Sequence, residues 1–293
     1  MNRIGGSLSQ LQPNPHAKDI EVKTRQPVHV KEMASSPGSA PKINVQPLSK
    51  PFLKGGVGRA QNAREDVALV QAALANIKSP NGQPYWQGRL SGSGTMALIQ
   101  AINAFEISIG QKRSSKILPG SPAEAAMVNM LPPDMRHLRC VPGTEAVYCT
   151  TEVPIDIERL VRQTEQSQSM HPMNRSAVAA LQRGVFKDTG LCLVSRNVNL
   201  AGNNNVAPVT FECADTIWLG QDGRPSQHPS RAIPNQQVLN RVTDIASQYG
   251  LSISSGHNGL EATNPAAEKF YDEMSLISQG AGAGIAKGIQ PEC

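Results

Sequence analysis

Three apolar stripes inside residues 62–131 constrain this chain more than any other feature of it. Val67, Val70, Leu74 and Ile77 recur at three- and four-residue steps, which predicts one buried face of a helix. Asn62 with Glu65 three residues on has the pattern of a capping box at its start. A turn-rich passage (Pro80, Asn81, Gly82, Pro84) leads to Tyr85-Trp86 and to Gly88, Gly92 and Gly94. A second stripe runs through Leu98, Ile99, Ile102 and Phe105. A third helix is announced by Ser121 as cap, Pro122 at its first position and Glu124 completing the box. The expectation is a small three-helix unit with two aromatics in its glycine-rich middle.

Those residues carry a resemblance. Asp66-Val67, Val70-Gln71 and Leu74, then Tyr85-Trp86 and Gly88, then Gly94-Thr95 opening an apolar helix, resemble the peptidoglycan-binding domain of bacterial wall hydrolases over residues 60–133. The chain departs from that family at Ile102 and Asn103, where the family carries Phe-Gln. The resemblance implies a three-helix fold and peptidoglycan as partner. Tyr85 and Trp86 would then offer flat faces to sugar rings and stem peptides. Arg89 would pair a stem carboxylate, and the turn ending at Thr95 would present backbone amides. The residues alone equally allow Trp86 to close the bundle core, and allow a bundle with no ligand.

Charge separates the amino-terminal part from the rest. Residues 1–59 hold nine Lys/Arg against three Asp/Glu, a net of +6, so the other 234 residues carry a net of −1. Pro, Ser, Lys and Gln dominate this arm and no apolar period emerges, which predicts disorder. A nucleic-acid reader places its basic patch on the folded part with aromatics interleaved. The basic charge here sits on the arm, so no nucleic-acid partner is expected. The chain has no run of eighteen apolar residues, so no membrane span is expected either. The first sixteen residues lack the apolar middle of a Sec-type signal. Either a signal has been removed, or export follows another route, or the protein stays inside.

Residues 134–153 read as a Pro-punctuated linker. Cys140 and Cys149 flank Pro142-Gly143, a loop suited to a disulfide, which would place the protein in the periplasm or outside the cell. His137 lies close, but no second Cys/His pair follows at zinc-finger spacing, so no metal is expected there.

Residues 154–279 predict a mixed α+β second domain, ahead of a Gly-rich tail at 280–293; the whole chain is thus of α+β class. Helices are expected over Asp156–Ser167, after Asn174, over Pro234–Tyr249 and from Asn264-Pro265, the last carrying Phe270, Met274 and Ile277. Strands are expected at Leu191–Val194, Val209–Cys213 and Leu251–Ser254.

Three chemistries compete in this half. Cys213, then His257 44 residues later, then Asn264, are similar in order and spacing to NlpC-like cysteine peptidases and to amidase effectors of type VI secretion. That similarity implies cleavage of the peptide stems of peptidoglycan, with Cys213 as nucleophile, His257 as base and Asn264 to orient it. The alternation around Cys213 also fits a buried thiol or a bridge to Cys192. A zinc D,D- or L,D-peptidase would need His228, His257 and a carboxylate, and is the one reading with a cofactor. A lysozyme-like glycosidase would draw two carboxyls from Glu212, Asp215, Asp222 and Glu261. A fourth possibility is a wall-binding adaptor without chemistry. The leading expectation is an exported wall hydrolase without cofactor, delivered as an antibacterial effector, whose further partners would be an immunity protein and the secretion apparatus.

Overall fold

The computed structural model describes residues 47–59, 62–150, 155–168, 170, 172–196, 208–226, 233–256 and 259–285, all within one unit spanning Ala40–Cys293. It is a mixed α+β fold with small antiparallel sheets. No described helix is long and apolar enough to cross a membrane.

The three stripes form the three expected helices: α1 (Arg64–Asn76), α2 (Met96–Ser108) and α3 (Pro122–Met130). Their caps differ in detail from the sequence reading. Thr95 caps α2 by accepting the Leu98 amide, and Ser121 caps α3 by accepting that of Glu124. The proposed box at Asn62 does not form. Helix α1 begins after Ala63 with no side-chain cap, while the Asn62 amide exchanges two hydrogen bonds with Gly58 and Glu65 accepts the Gly143 amide. Glu124 likewise does not close its box on Ser121; its carboxylate takes the amides of Gly120 and Leu53, both at 2.6 Å.

The end of the basic arm is folded, contrary to the expectation of disorder up to residue 59. Leu53 and Val57 are buried in the helical core, and β1 (Val57–Gly58) pairs antiparallel with β2 (Lys116–Ile117). Apolar side chains spaced too widely to show a period still found a groove between helices. Residues 1–46 lie outside the described residues.

Residues 134–149, expected as linker, instead form a hairpin, β3 (Leu138–Cys140) with β4 (Val147–Cys149); β7 (Ile217–Trp218) joins it on the far side of β4. This sheet has a core on each face. Val147 and Cys149 face the helical core, while Tyr148 between them faces a second core, as strand alternation requires. The turn at Gly220–Gly223 then packs on α1. Gly223 has φ +78, and a Cβ there would lie 2.9 Å from that of Ala75; Asn76 Nδ2 donates to its carbonyl at 2.7 Å. Only glycine fits that approach.

The second core lies under a four-stranded sheet ordered β5 (Leu193–Arg196), β6 (Val209–Cys213), β9 (Gly259–Thr263), β8 (Ser252–Gly256). Helices α4 (Ile157–Glu165), α5 (Pro172–Thr189) and α6 (Gln236–Gln248) accompany it. Around the expected loop over Ser255–Gly259, β8 and β9 pair antiparallel with Gly256 opposite Gly259, while His257 and Asn258 lie outside the described residues. The final helix α7 runs Pro265–Ile285, into the segment read as tail, and its Phe270, Met274 and Ile277 are exposed.

Candidate functional site

The wall-binding candidates are split by burial. Trp86 is 7% exposed and belongs to the helical core, and its amide donates to the Leu74 carbonyl. Gly88 lies so close that a Cβ there would fall 2.5 Å from the indole. Of the two roles left open for Trp86, its burial supports the core one. Tyr85 is half-buried, its ring edge-on to Phe105 at 5.5 Å. Arg89 is exposed and borders a cavity of about 340 Å³ with Leu90, Glu145, Trp218, Gln221 and Asn235. Thr95 is exposed, with its hydroxyl engaged as the α2 cap.

One residue of this region was quoted in the sequence motif without a role. Gln71 is buried; its Oε1 accepts the amides of Ser91 and Gly92, and its Nε2 donates to the Ser93 carbonyl. Asp66 similarly accepts the amides of Lys54 and Gly55. The phrase from Asp66 to Leu74 therefore combines a core stripe with two buried acceptors that fasten loops. This arrangement predicts that Trp86→Phe, which deletes an indole N–H lacking a partner, leaves the melting temperature within a few degrees of wild type. Trp86→Ala should instead cost about 3–5 kcal/mol, read by denaturant titration.

A second and larger cavity, about 750 Å³, opens where β4, β6 and β7 meet. Cys213, Cys149 and His137 line it, with the acids Asp134, Glu212 and Asp215. Each strand delivers its share. Cys213 ends β6 and Cys149 ends β4, while His137 directly precedes β3 and its carbonyl accepts the Thr150 amide. Asp215 sits in the β6–β7 turn at φ +48, a left-handed position that Asp tolerates better than most side chains.

The thiols are held protonated. Burial pushes Cys213 up to about 12, with Cys192 and Glu212 adding to the rise; burial and Asp134 push Cys149 to about 12. This is the reverse of the depressed thiol found where a cysteine opens a helix.

The cysteine bridge is a correction. Cys140 and Cys149 are both free thiols, and the register pairs Cys140 with Val147 and Cys149 with Leu138, two positions apart. Cys140 donates to the Thr144 carbonyl instead. Cys192 and Cys213 are also free thiols.

Of the three residues proposed for catalysis, Cys213 and Asn264 are among the described residues and His257 is not. Asn264 is buried as the α7 cap, its Oδ1 accepting the Ala267 amide. His257 lies outside the described residues, as does His228 of the zinc reading. The imidazole that lines the Cys213 cavity is that of His137, which sequence reading weighed only as a metal ligand. It lines the same cavity as Cys213, 76 positions away, because β7 returns to β4, which no local spacing encodes. Among the described residues no group of three His, Cys, Asp or Glu is arranged to hold a metal ion.

No family model matches the chain, and no curated protein and no solved structure matches it.

Proposed function

We propose that this protein binds peptidoglycan and cleaves its peptide stems, with Cys213 as nucleophile and His137 as the base. The observation that supports the reading most is the 750 Å³ cleft, large enough for a short peptide, in which a thiol, an imidazole and three carboxylates converge. Because the thiol is held neutral, its proton must leave during attack. The Cys213 sulfur bonds to the stem amide carbon as the imidazole takes the thiol proton. That proton then passes to the departing amine, and water hydrolyses the thioester. Asp134, Glu212 and Asp215 give the cleft a negative rim that suits the free amine of a stem side chain. Arg89, exposed beside its own cavity, is the residue that would pair a stem carboxylate for docking.

Incubation with purified sacculi, followed by mass spectrometry of soluble fragments, tests this. New amines or shortened stems are expected, falling at least 100-fold in Cys213→Ala and in His137→Ala. Loss in His257→Ala with full activity in His137→Ala would transfer the base to His257. New reducing ends would replace the reading with a glycosidase. A second reading, a wall-binding adaptor without chemistry, is favoured by the raised pKa of Cys213. Sacculi that retain the protein yet release nothing would establish it.

A further inference from the structure

Helix α7 begins on the fold and runs off it. Ala267, in its first turn, is fully buried and Tyr271 is half-buried, but every residue from Asp272 to Ser278 is exposed. Phe270 is 47% exposed, and Met274 and Ile277, one and two turns further on, are 50% and 65% exposed. Single exposed apolar side chains are ordinary, but these share one face. Ala267, Phe270, Met274, Ile277, Ala281 and Gly284 follow one another at steps of three, four, three, four and three. That spacing is the narrow seam between two paired helices, not the broader face that a helix turns to a domain core.

The seam also carries the means to choose its partner. Its bulk is graded: Phe, Met and Ile occupy the positions up to residue 277, and Ala and Gly those after it. A second copy laid antiparallel, with Ile277 at the centre, sets Phe270 of one protomer against Gly284 of its partner, and Met274 against Ala281. Large then meets small in each layer, and the two helices approach evenly. A parallel pair would stack Phe on Phe and leave glycine facing glycine. Charge agrees with this choice. Glu268, Asp272 and Glu273, offset by Lys269 alone, lie in the first half of α7, while residues 274–285 carry no charge. Parallel pairing would bring the two acidic halves together; antiparallel pairing sets each beside an uncharged half and opposes the helix dipoles. A net acidic helix is also poorly suited to a phospholipid surface, where interfacial helices carry Lys and Arg on their polar face.

We infer that α7 is the seam of a homodimer, in which two copies of this chain pair their α7 helices antiparallel about Ile277. Such a pair also leaves room for the rest of each chain. Helices in contact lie about 8–10 Å apart, so parallel ones would crowd two folded bodies at one end. Antiparallel ones hold them at opposite ends of a helix about 30 Å long. The partner's cover would steady a half-helix that contains Gly280, Gly282 and Gly284, each a poor helix former. One such seam is smaller than a standard interface, so the dimer is expected to be reversible at micromolar concentrations. It does not depend on the cleavage reading, since α7 lines neither of the two cavities described.

Sedimentation equilibrium of the full chain, from low micromolar to several hundred micromolar, tests the dimer. The apparent mass is expected to climb from that of one chain toward that of two. Met274→Glu combined with Ile277→Glu, both at exposed positions, should weaken association at least tenfold and leave the circular dichroism and melting temperature of the monomer unchanged. Phe270→Ala and Gly284→Phe should each weaken association about tenfold. Combined in one chain, they should restore it to within a few-fold of wild type, because each outer layer again holds one large and one small residue. A chain that stays monomeric throughout, association indifferent to the two glutamates, or no rescue in the swapped chain would each overturn the antiparallel dimer. Sedimentation of a monomeric chain with phosphatidylglycerol vesicles would overturn it in favour of a lipid surface.

Discussion

Replacing Glu124 by alanine removes about 3–6 kcal/mol of stability, which is a large part of what a domain of ordinary stability possesses. The side chain is fully buried, and its carboxylate holds the amides of Leu53 and Gly120, each at 2.6 Å. Bonds to a charged acceptor are stronger than neutral ones, contributing about 1.5–3 kcal/mol each. Deletion also leaves the amide of buried Leu53 without its acceptor, whereas exposed Gly120 can turn to water. The consequence spreads, because Leu53 anchors the segment that carries Val57 and β1 into the helical core. Glu124→Gln keeps one acceptor oxygen and the volume, so it should cost roughly half as much. Urea titration of the three proteins, with the tryptophan fluorescence of the core as probe, checks the order wild type, Gln, Ala. A drop below about 1 kcal/mol for Ala would show that Glu124 is dispensable.

This effect was half visible in the sequence. Ser121-Pro122-x-Glu124 marked the helix start correctly, because cap chemistry is local and has a fixed spacing. The carboxylate's actual partners, 71 and 4 residues away, depend on how the arm crosses α3. The same division holds elsewhere. Helices α1, α2, α3 and α6 were legible from their stripes, and β6 from its alternation, since burial on one face imposes a period. Strands β1, β2, β3 and β7 are only two or three residues long, too short for any period to register, so the central sheet was read as linker. Cys213 was legible as a candidate because a lone thiol near the end of a strand is conspicuous. His137 was not, because what brings it to the same cleft is sheet pairing. The α7 stripe shows another limit: the helix was legible from the spacing of Phe270, Met274 and Ile277, yet nothing in the described fold covers them. Periodicity reports an amphipathic helix and leaves open which surface will cover it.

Raising the pH from 8 to 11 should destabilise this protein by on the order of 5–10 kcal/mol, through its buried thiols. Burial lifts Cys140, Cys149 and Cys213 to about 12 and Cys192 to about 11, from an ordinary 9.0. Acids add to the rise at each: Glu65 and Glu145 beside Cys140, Asp134 beside Cys149, Asp215 beside Cys192 and Glu212 beside Cys213. The sign follows from which state binds the proton more tightly. The folded thiols stay neutral where the unfolded ones ionise, so their contribution is intact below pH 9 and is lost as pH rises toward 12. Each thiol pushed to about 12 loses about 1.4 kcal/mol per pH unit across that window. Tyr148, pushed up to about 12 chiefly by burial, adds in the same direction above its ordinary 10.0. Denaturant midpoints measured at intervals from pH 7 to 11, under reducing conditions, should hold level to about pH 8.5 and then fall steeply. Lysines also titrate near the top of this range, so the decisive comparison is with a variant carrying alanine at Cys149, Cys192 and Cys213. Its decline should be less than half as steep, whatever its starting stability. Equal slopes in the two proteins would mean that burial does not hold these thiols neutral, and that Cys213 can ionise at the same pH as an exposed thiol.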